Sequence, residues 1–220
     1  MSSAVNNELT EIALFPIPDM VSFPGATVPL HVFEPRYRKM IHDCVEGQRM
    51  IGVCHTRKAI NTGPKQQSME EALSSNQATY QPQPVFSAGL CKIQDVLEDG
   101  RILVLIEMSG RYRMVSEQQA LPYRIALCEQ IEDVEDAGDS QESAQLKTAI
   151  IERMLELTHA SDPKVSTAEL EQKWQALTPE QFSFQFFEFV RFDADLMQSI
   201  LENTSSLSRL RVIADVLQAA

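Results

Sequence analysis

The stretch LCKIQDVLEDGRILVLIEM, Leu90 to Met108, constrains the fold more than any other part of the chain. Asp99-Gly100 sits between two apolar runs, and that dipeptide supplies the positive φ a tight primed hairpin turn demands. The second arm, Ile102 to Ile106, is apolar on both faces. Such a strand belongs inside a barrel or a covered sheet, since a solvent-facing strand alternates apolar with polar residues. A β-rich front half follows from this one hairpin.

Other short strands fit around it. IALFP (Ile12 to Pro16), TVPLHVF (Thr27 to Phe33), MIGVCH (Met50 to His55), GRYRMV (Gly110 to Val115) and PYRIALCEQI (Pro122 to Ile131) are separated by turn residues, which suggests a small barrel or pseudo-barrel. Pro29 lacks an N–H, so its strand should be an edge or bulged one. Between the second and third strands lies a helix. Pro35 suits a first helical position. Tyr37, Met40, Ile41, Cys44 and Val45 then form one apolar stripe, and Gly47 reads as the C-terminal cap. The polar, Gln- and Ser-rich span Thr56 to Pro84 reads as a long surface loop with room for a short helix at Ser68 to Leu73.

Near residue 135 the pattern changes from strands to helices. Expected helices run Gln141 to His159, Ser166 to Leu177, Thr178 onward, Asp193 to Glu202 and Ser206 to Leu217. Ser166 with Glu169 and Thr178 with Gln181 both have capping-box spacing. Leu146, Ile150, Met154 and Leu157, then Leu170, Trp174 and Leu177, then Phe182, Phe186 and Phe189 mark the faces expected to be buried. The chain therefore reads as α+β: residues 1–135 a β-rich unit with one packed helix, residues 136–220 a helical bundle.

Composition narrows the function. The net charge is −12, with −5 on the first 135 residues and −7 on the rest, so neither part is a general nucleic-acid or anionic-membrane binder. The start shows neither the basic nor the apolar region of a secretory signal, no apolar run approaches a membrane span, and the four dispersed cysteines fit reduced thiols. A cytoplasmic protein is expected. No Walker-type glycine loop, dinucleotide fingerprint, nucleophile elbow or H-E-x-x-H is present. His42 and Cys44 would face apart on a helix, as Cys54 and His55 would on a strand, which disfavours a metal site. Glu132, Asp133, Glu135, Asp136 and Asp139 read as a solvated linker, and Arg111 with Arg113 beside Tyr112 as at most a weak basic patch. No cofactor is expected.

The stretch ALFPIPDMVSFPGATVPLHVFEPRYRKMIHDC resembles the opening of the Lon protease N-terminal domain. Matching pieces follow in order: Ala88-Gly89-Leu90 with Ile93, DGRILVLIEMSGRYRM from Asp99 to Met114, PYRIALCE from Pro122 to Glu129, and the helical LMQSILENTSSLSRLRVIADVL. The resemblance spans roughly residues 9 to 218. It implies a PUA-like β pseudo-barrel followed by a helical bundle, and a module that engages polypeptide substrates. The ATPase and peptidase modules of that family lie outside these 220 residues, so binding without catalysis is expected, with a protease or ATPase as a possible partner and no membrane. The Thr56–Pro84 span is longer than the family's connection.

Within the resemblance, Pro24, Gly25, Pro29, Glu34, Pro35, Arg36, Gly100, Gly110 and Arg111 read as residues that shape the fold. Phe15, Phe23, Phe33, Tyr37 and Tyr112 are the aromatic candidates for a polypeptide-binding groove. The leading reading is a polypeptide-recognition module, an adaptor or chaperone-like factor of protein quality control. Two other classes stay open: an RNA-binding PUA-like module, which requires a positively charged face, and an enzyme at the barrel mouth, which requires a deep pocket and a perturbed pair around His31 or His55.

Overall fold

The computed structural model describes residues 8–61, 79–134, 140–161 and 167–218. The chain divides into two compact units, Met1–Ile131 and Glu132–Ala220.

The first unit is organised by one long strand, β7 (Ile102–Gln119). Its first half pairs antiparallel with β2 (Thr27–Val32) on one side and with β6 (Val85–Val96) on the other. Its second half pairs with β8 (Arg124–Ile131). β1 (Thr10–Pro16) lies between β8, antiparallel, and β3 (Ile51–Cys54), parallel, and β3 pairs with β6. Strands β7, β6, β3, β1 and β8 thus close a ring, and β2 hangs outside it as an edge. An edge position is where Pro29 removes no interior ladder bond. Register shifts break both the β6–β7 and β7–β8 ladders, so the ring is irregular rather than a clean barrel.

Alternation along β1 feeds two cores. Ile12 and Leu14 point into a cluster with Cys54, Phe86, Ala88, Tyr112, Ala126 and Cys128. Ala13 belongs to a second, larger cluster with Val28, Val32, Ile51, Val53, Ile102, Val104 and Ile106, against which Phe15 packs. The helix α1 (Pro35–Glu46) seals the second cluster with Tyr37, Met40, Ile41 and Cys44. Each large side chain buried there contributes roughly 1.5–3 kcal/mol. Two polar ties fix the helix: Arg38 Nη1 donates to the Gly100 carbonyl at 3.2 Å, and Tyr123 Oη donates to Asp43 Oδ2 at 2.7 Å.

Two expectations are corrected here, on the Asp99-Gly100 turn and the Thr56–Pro84 span, and one, the cap at Gly47, holds. The Asp99-Gly100 turn is not a two-residue primed turn. Gly100 N donates to the Leu97 carbonyl and Leu97 N to the Arg101 carbonyl, with Gly100 at φ 82° as the left-handed residue of a three-residue loop. Asp99 keeps negative φ, because that loop type places its positive angle only on the last residue. Gly47 occupies the helix C-cap as expected, at φ −84°, while the left-handed position falls to Gln48 at φ 50°, closed by Arg49 N donating to the Cys44 carbonyl. The ends of the Thr56–Pro84 span are paired rather than looped. β4 (Thr56–Asn61) and β5 (Thr79–Pro82) form a separate two-stranded sheet, and the short helix expected at 68–73 lies outside the described residues.

The second unit contains α2 (Ser140–Ser161), α3 (Ala168–Ala176), α4 (Pro179–Gln185) running into a 3-10 turn at Phe186–Glu188, α5 (Ala194–Glu202) and α6 (Ser206–Gln218). The expected capping box at Thr178 forms with both bonds: Gln181 N donates to Thr178 Oγ1, and Thr178 N donates to Gln181 Oε1. The N-cap of α3 is Thr167, which makes no capping bond, while Ser166 lies outside the described residues. Trp174, Phe182 and Phe186 are buried and meet ring to ring at 5.8–5.9 Å. Phe189 is 52% exposed although its ring still meets Trp174 edge-on, because the turn that follows α4 rotates it off the buried face.

Asp133 is also not a solvated linker residue. Its carboxylate receives two hydrogen bonds from Arg209, whose side chain is 0% exposed. A charge buried in the bundle requires a charged partner, and the nominal linker supplies it.

Candidate functional site

One cleft in the first unit brings together residues from three separate segments. Leu14 and Pro16 come from the end of β1, Arg36 and Tyr37 from the start of α1, and Ala120 to Arg124 from the connection between β7 and β8. Leu14, Pro16 and Tyr37 are buried and form its floor. Leu121 stands out of the wall at 81% exposure, more than any other large apolar side chain among the described residues.

The local structure explains how each side chain is placed. Pro35 opens α1, so Arg36 and Tyr37 fall in its first turn. Tyr37 stacks on Phe15 with centroids 4.2 Å apart, and the Arg36 guanidinium lies 4.6 Å from the Tyr37 ring centre. Arg36 also pairs with Glu34 at 2.9 Å. Burial pushes the Tyr37 hydroxyl up to about 12; Arg36 and, more weakly, Arg124 oppose that rise, and Glu34 reinforces it. Arg124, on the opposite wall from Arg36, pairs with Glu117, which stands outside the lining. Tyr123 is held by its bond to Asp43, and the Asp43 carboxyl is lowered chiefly by that hydrogen bond and by Lys39. The polar side chains of the walls are each held by a partner, and the chemistry they offer is apolar contact flanked by guanidinium groups. No nucleophile or paired acid and base lines the cleft.

Of the five aromatic candidates, only Tyr37 lines this cleft. Phe15 backs it through the stack with Tyr37 and is half-buried, as is Phe33. Phe23 and Tyr112 are core residues. Tyr112 Oη donates to Met50 Sδ at 3.6 Å. Phe23 lies outside the strands, where no alternation applies, and Tyr112 lies on a strand paired on both sides, where only the tertiary packing decides which face is covered.

Among the fold-shaping residues, Gly25 takes φ 87° and its N–H donates to the Met108 carbonyl, tying the turn after Phe23 and Pro24 to β7. Gly110 sits in the β6–β7 ladder opposite Ala88. Arg111 is 3% exposed, so it offers no basic surface beside Arg113, which itself pairs with Glu129. His31 lies exposed on the edge strand and His55 is buried. Among the described residues no group of three His, Cys, Asp or Glu could hold a metal, and no helix is long and apolar enough to cross a membrane.

Leu121, Pro122 and Arg124 were not singled out from the sequence. The sequence reads Pro122 to Arg124 as the start of a strand, whereas β8 begins at Arg124, and the exposure of Leu121 is what distinguishes the segment.

A family model described as the ATP-dependent protease La (LON) substrate-binding domain matches residues 11–219. Two solved structures are similar in fold. A Lon N-terminal domain protein from Xanthomonas campestris aligns with a TM-score of 0.59 at 20% identity, covering 92% of this chain and 95% of that one. The N-terminal domain of the Mycobacterium avium complex Lon protease aligns with a TM-score of 0.67 at 12% identity, covering 95% and 98%.

Proposed function

Since the chain belongs to the Lon substrate-binding domain family, we propose that it recognises exposed apolar segments of polypeptides, and that the cleft beside Leu121 is where they dock. The reading rests on one observation above the others: an 81% exposed leucine beside a rigid floor of buried Leu14, Pro16 and Tyr37. One exposed leucine is ordinary on a protein surface; its place beside the buried apolar residues of the cleft is what marks this one as part of a docking site. The chain binds without catalysing a reaction of its own, and it serves protein quality control as an adaptor or chaperone-like factor for a partner protease or ATPase.

The test is fluorescence anisotropy with a labelled, permanently unfolded polypeptide, beside a folded control and an RNA oligomer. Saturable binding to the unfolded chain is expected. Leu121→Ser should weaken it about tenfold or more, the equivalent of the roughly 1.5–3 kcal/mol gained by burying one leucine. Unchanged affinity in that variant would remove the cleft from the proposal, and binding to RNA alone would overturn the function.

A further inference from the structure

The charge of the cleft runs against the charge of the protein. The chain carries 31 acidic and 19 basic residues. Yet the charged side chains lining the cleft are two arginines, Arg36 and Arg124, with no aspartate or glutamate among the lining residues. Their carboxylate partners, Glu34 and Glu117, hold the guanidiniums in place from outside the lining. The two arginines come from different segments, α1 and the start of β8, and both act electrostatically on the same point, the Tyr37 hydroxyl.

We infer that the cleft selects polypeptide segments in which an apolar residue is adjacent to an aspartate or glutamate. The inference rests on the polypeptide-binding reading above. The apolar side chain packs on Leu121 over the mouth of the cleft, and the neighbouring carboxylate lies against the guanidiniums at the rim. Arginine suits this role because its planar group accepts a carboxylate side-on while its carbon stem lies along apolar surface. Partial burial of both guanidiniums reduces solvent screening, so the preference survives moderate salt. Basic segments would be rejected by the same two charges, which gives the module a means of choosing among unfolded chains that are equally apolar.

The experiment uses three labelled ten-residue peptides with amidated C-termini, identical except that a central leucine is flanked by glutamate, glutamine or lysine. Affinity is read by anisotropy at low and at physiological salt. The expected order is glutamate tightest and lysine weakest, with roughly a threefold to tenfold spread that narrows as salt rises. Arg124→Gln should compress that spread, whereas Arg113→Gln, the same charge change on β7 away from the cleft, should leave it intact. Equal affinities for the three peptides, or compression by both variants alike, would overturn the inference. In that event weaker binding of the glutamine peptide to Leu121→Ser would still uphold the polypeptide-binding reading, so the two ideas fail separately.

Discussion

Arg209 and Asp133, 76 positions apart in sequence, form a two-pronged ion pair at 2.6 and 2.7 Å inside the second unit. The guanidinium also donates to Ser183 Oγ and the Asn203 carbonyl, and it lies 4.0 Å from the centre of the Phe184 ring. Every direction in which the cation could be solvated is filled by protein. Asp133→Ala would strand it. The expected cost is about 3 kcal/mol, the lower end for a broken buried pair because the Asp133 side chain retains 13% exposure. Arg209→Met should cost less, since it removes the charge and keeps most of the volume. Urea denaturation of the two variants compares them, and a smaller loss for Asp133→Ala than for Arg209→Met would refute this account.

Gly89 and Gly52 should both resist alanine, to different degrees. A Cβ on Gly89 would stand 1.7 Å from the Glu107 carbonyl oxygen, and one on Gly52 would stand 2.5 Å from the Phe86 ring. A ring can shift, whereas a backbone in the middle of a ladder cannot. Gly52→Ala is expected to cost about 1–3 kcal/mol and Gly89→Ala more, enough to prevent folding of the first unit. Circular dichroism and soluble yield would show the ranking.

Gln48→Gly should stabilise the protein. Gln48 holds φ 50° where the motif closing α1 favours glycine. Its amide donates to the Val45 carbonyl at 3.2 Å, but that bond is exposed and contributes little. The expected gain is about 0.5–1 kcal/mol. A lower melting temperature in this variant would mean that the side-chain bond outweighs the backbone strain.

Alkaline pH should destabilise the first unit through its thiols. Burial pushes Cys44 and Cys128 up from 9.0 to about 12 and Cys91 to about 11, and Cys54 well above its ordinary value. Groups whose folded-state value is raised keep their protons while the unfolded chain loses them. Their stabilising contribution is therefore complete below about pH 8.5 and is lost as pH climbs from there towards 11–12. Denaturation midpoints measured from pH 7 to 10.5 should be flat at first and then decline. At pH 8 the native protein should react with a thiol reagent far more slowly than the unfolded chain, with half-buried Cys91 first. Fast labelling of Cys44 or Cys128 would contradict it.

Several features could be read from local patterns because local physics decides them. The start of α1 at Pro35, its buried stripe from Tyr37 to Cys44, the paired caps at Thr178 and Gln181, and the edge position of Pro29 each depend on neighbours within a few residues. The places where the reading failed are those where a distant partner intervenes. Asp133 looks like one more acid in an acidic run until Arg209 reaches it. Phe23 and Tyr112 serve as groove candidates in the sequence, yet the packing leaves them only 2% and 6% exposed. The strand pattern likewise separates Ile102–Ile106 from Gly110–Val115, which the structure joins in one 18-residue strand that pairs with β6 and then with β8.

By itself the amino-acid sequence determined the class and order of most elements, the paired ends of the Thr56–Pro84 span excepted, and the family resemblance, because hydrophobic period, proline geometry and capping act over a few bonds. Only the tertiary structure decided which apolar and charged residues face water. Exposure is a property of the whole packing: Leu121 remains outside and Arg36 and Arg124 converge on one cleft because β1, α1 and β8 are brought together by the ring, and nothing within any one of those segments requires it.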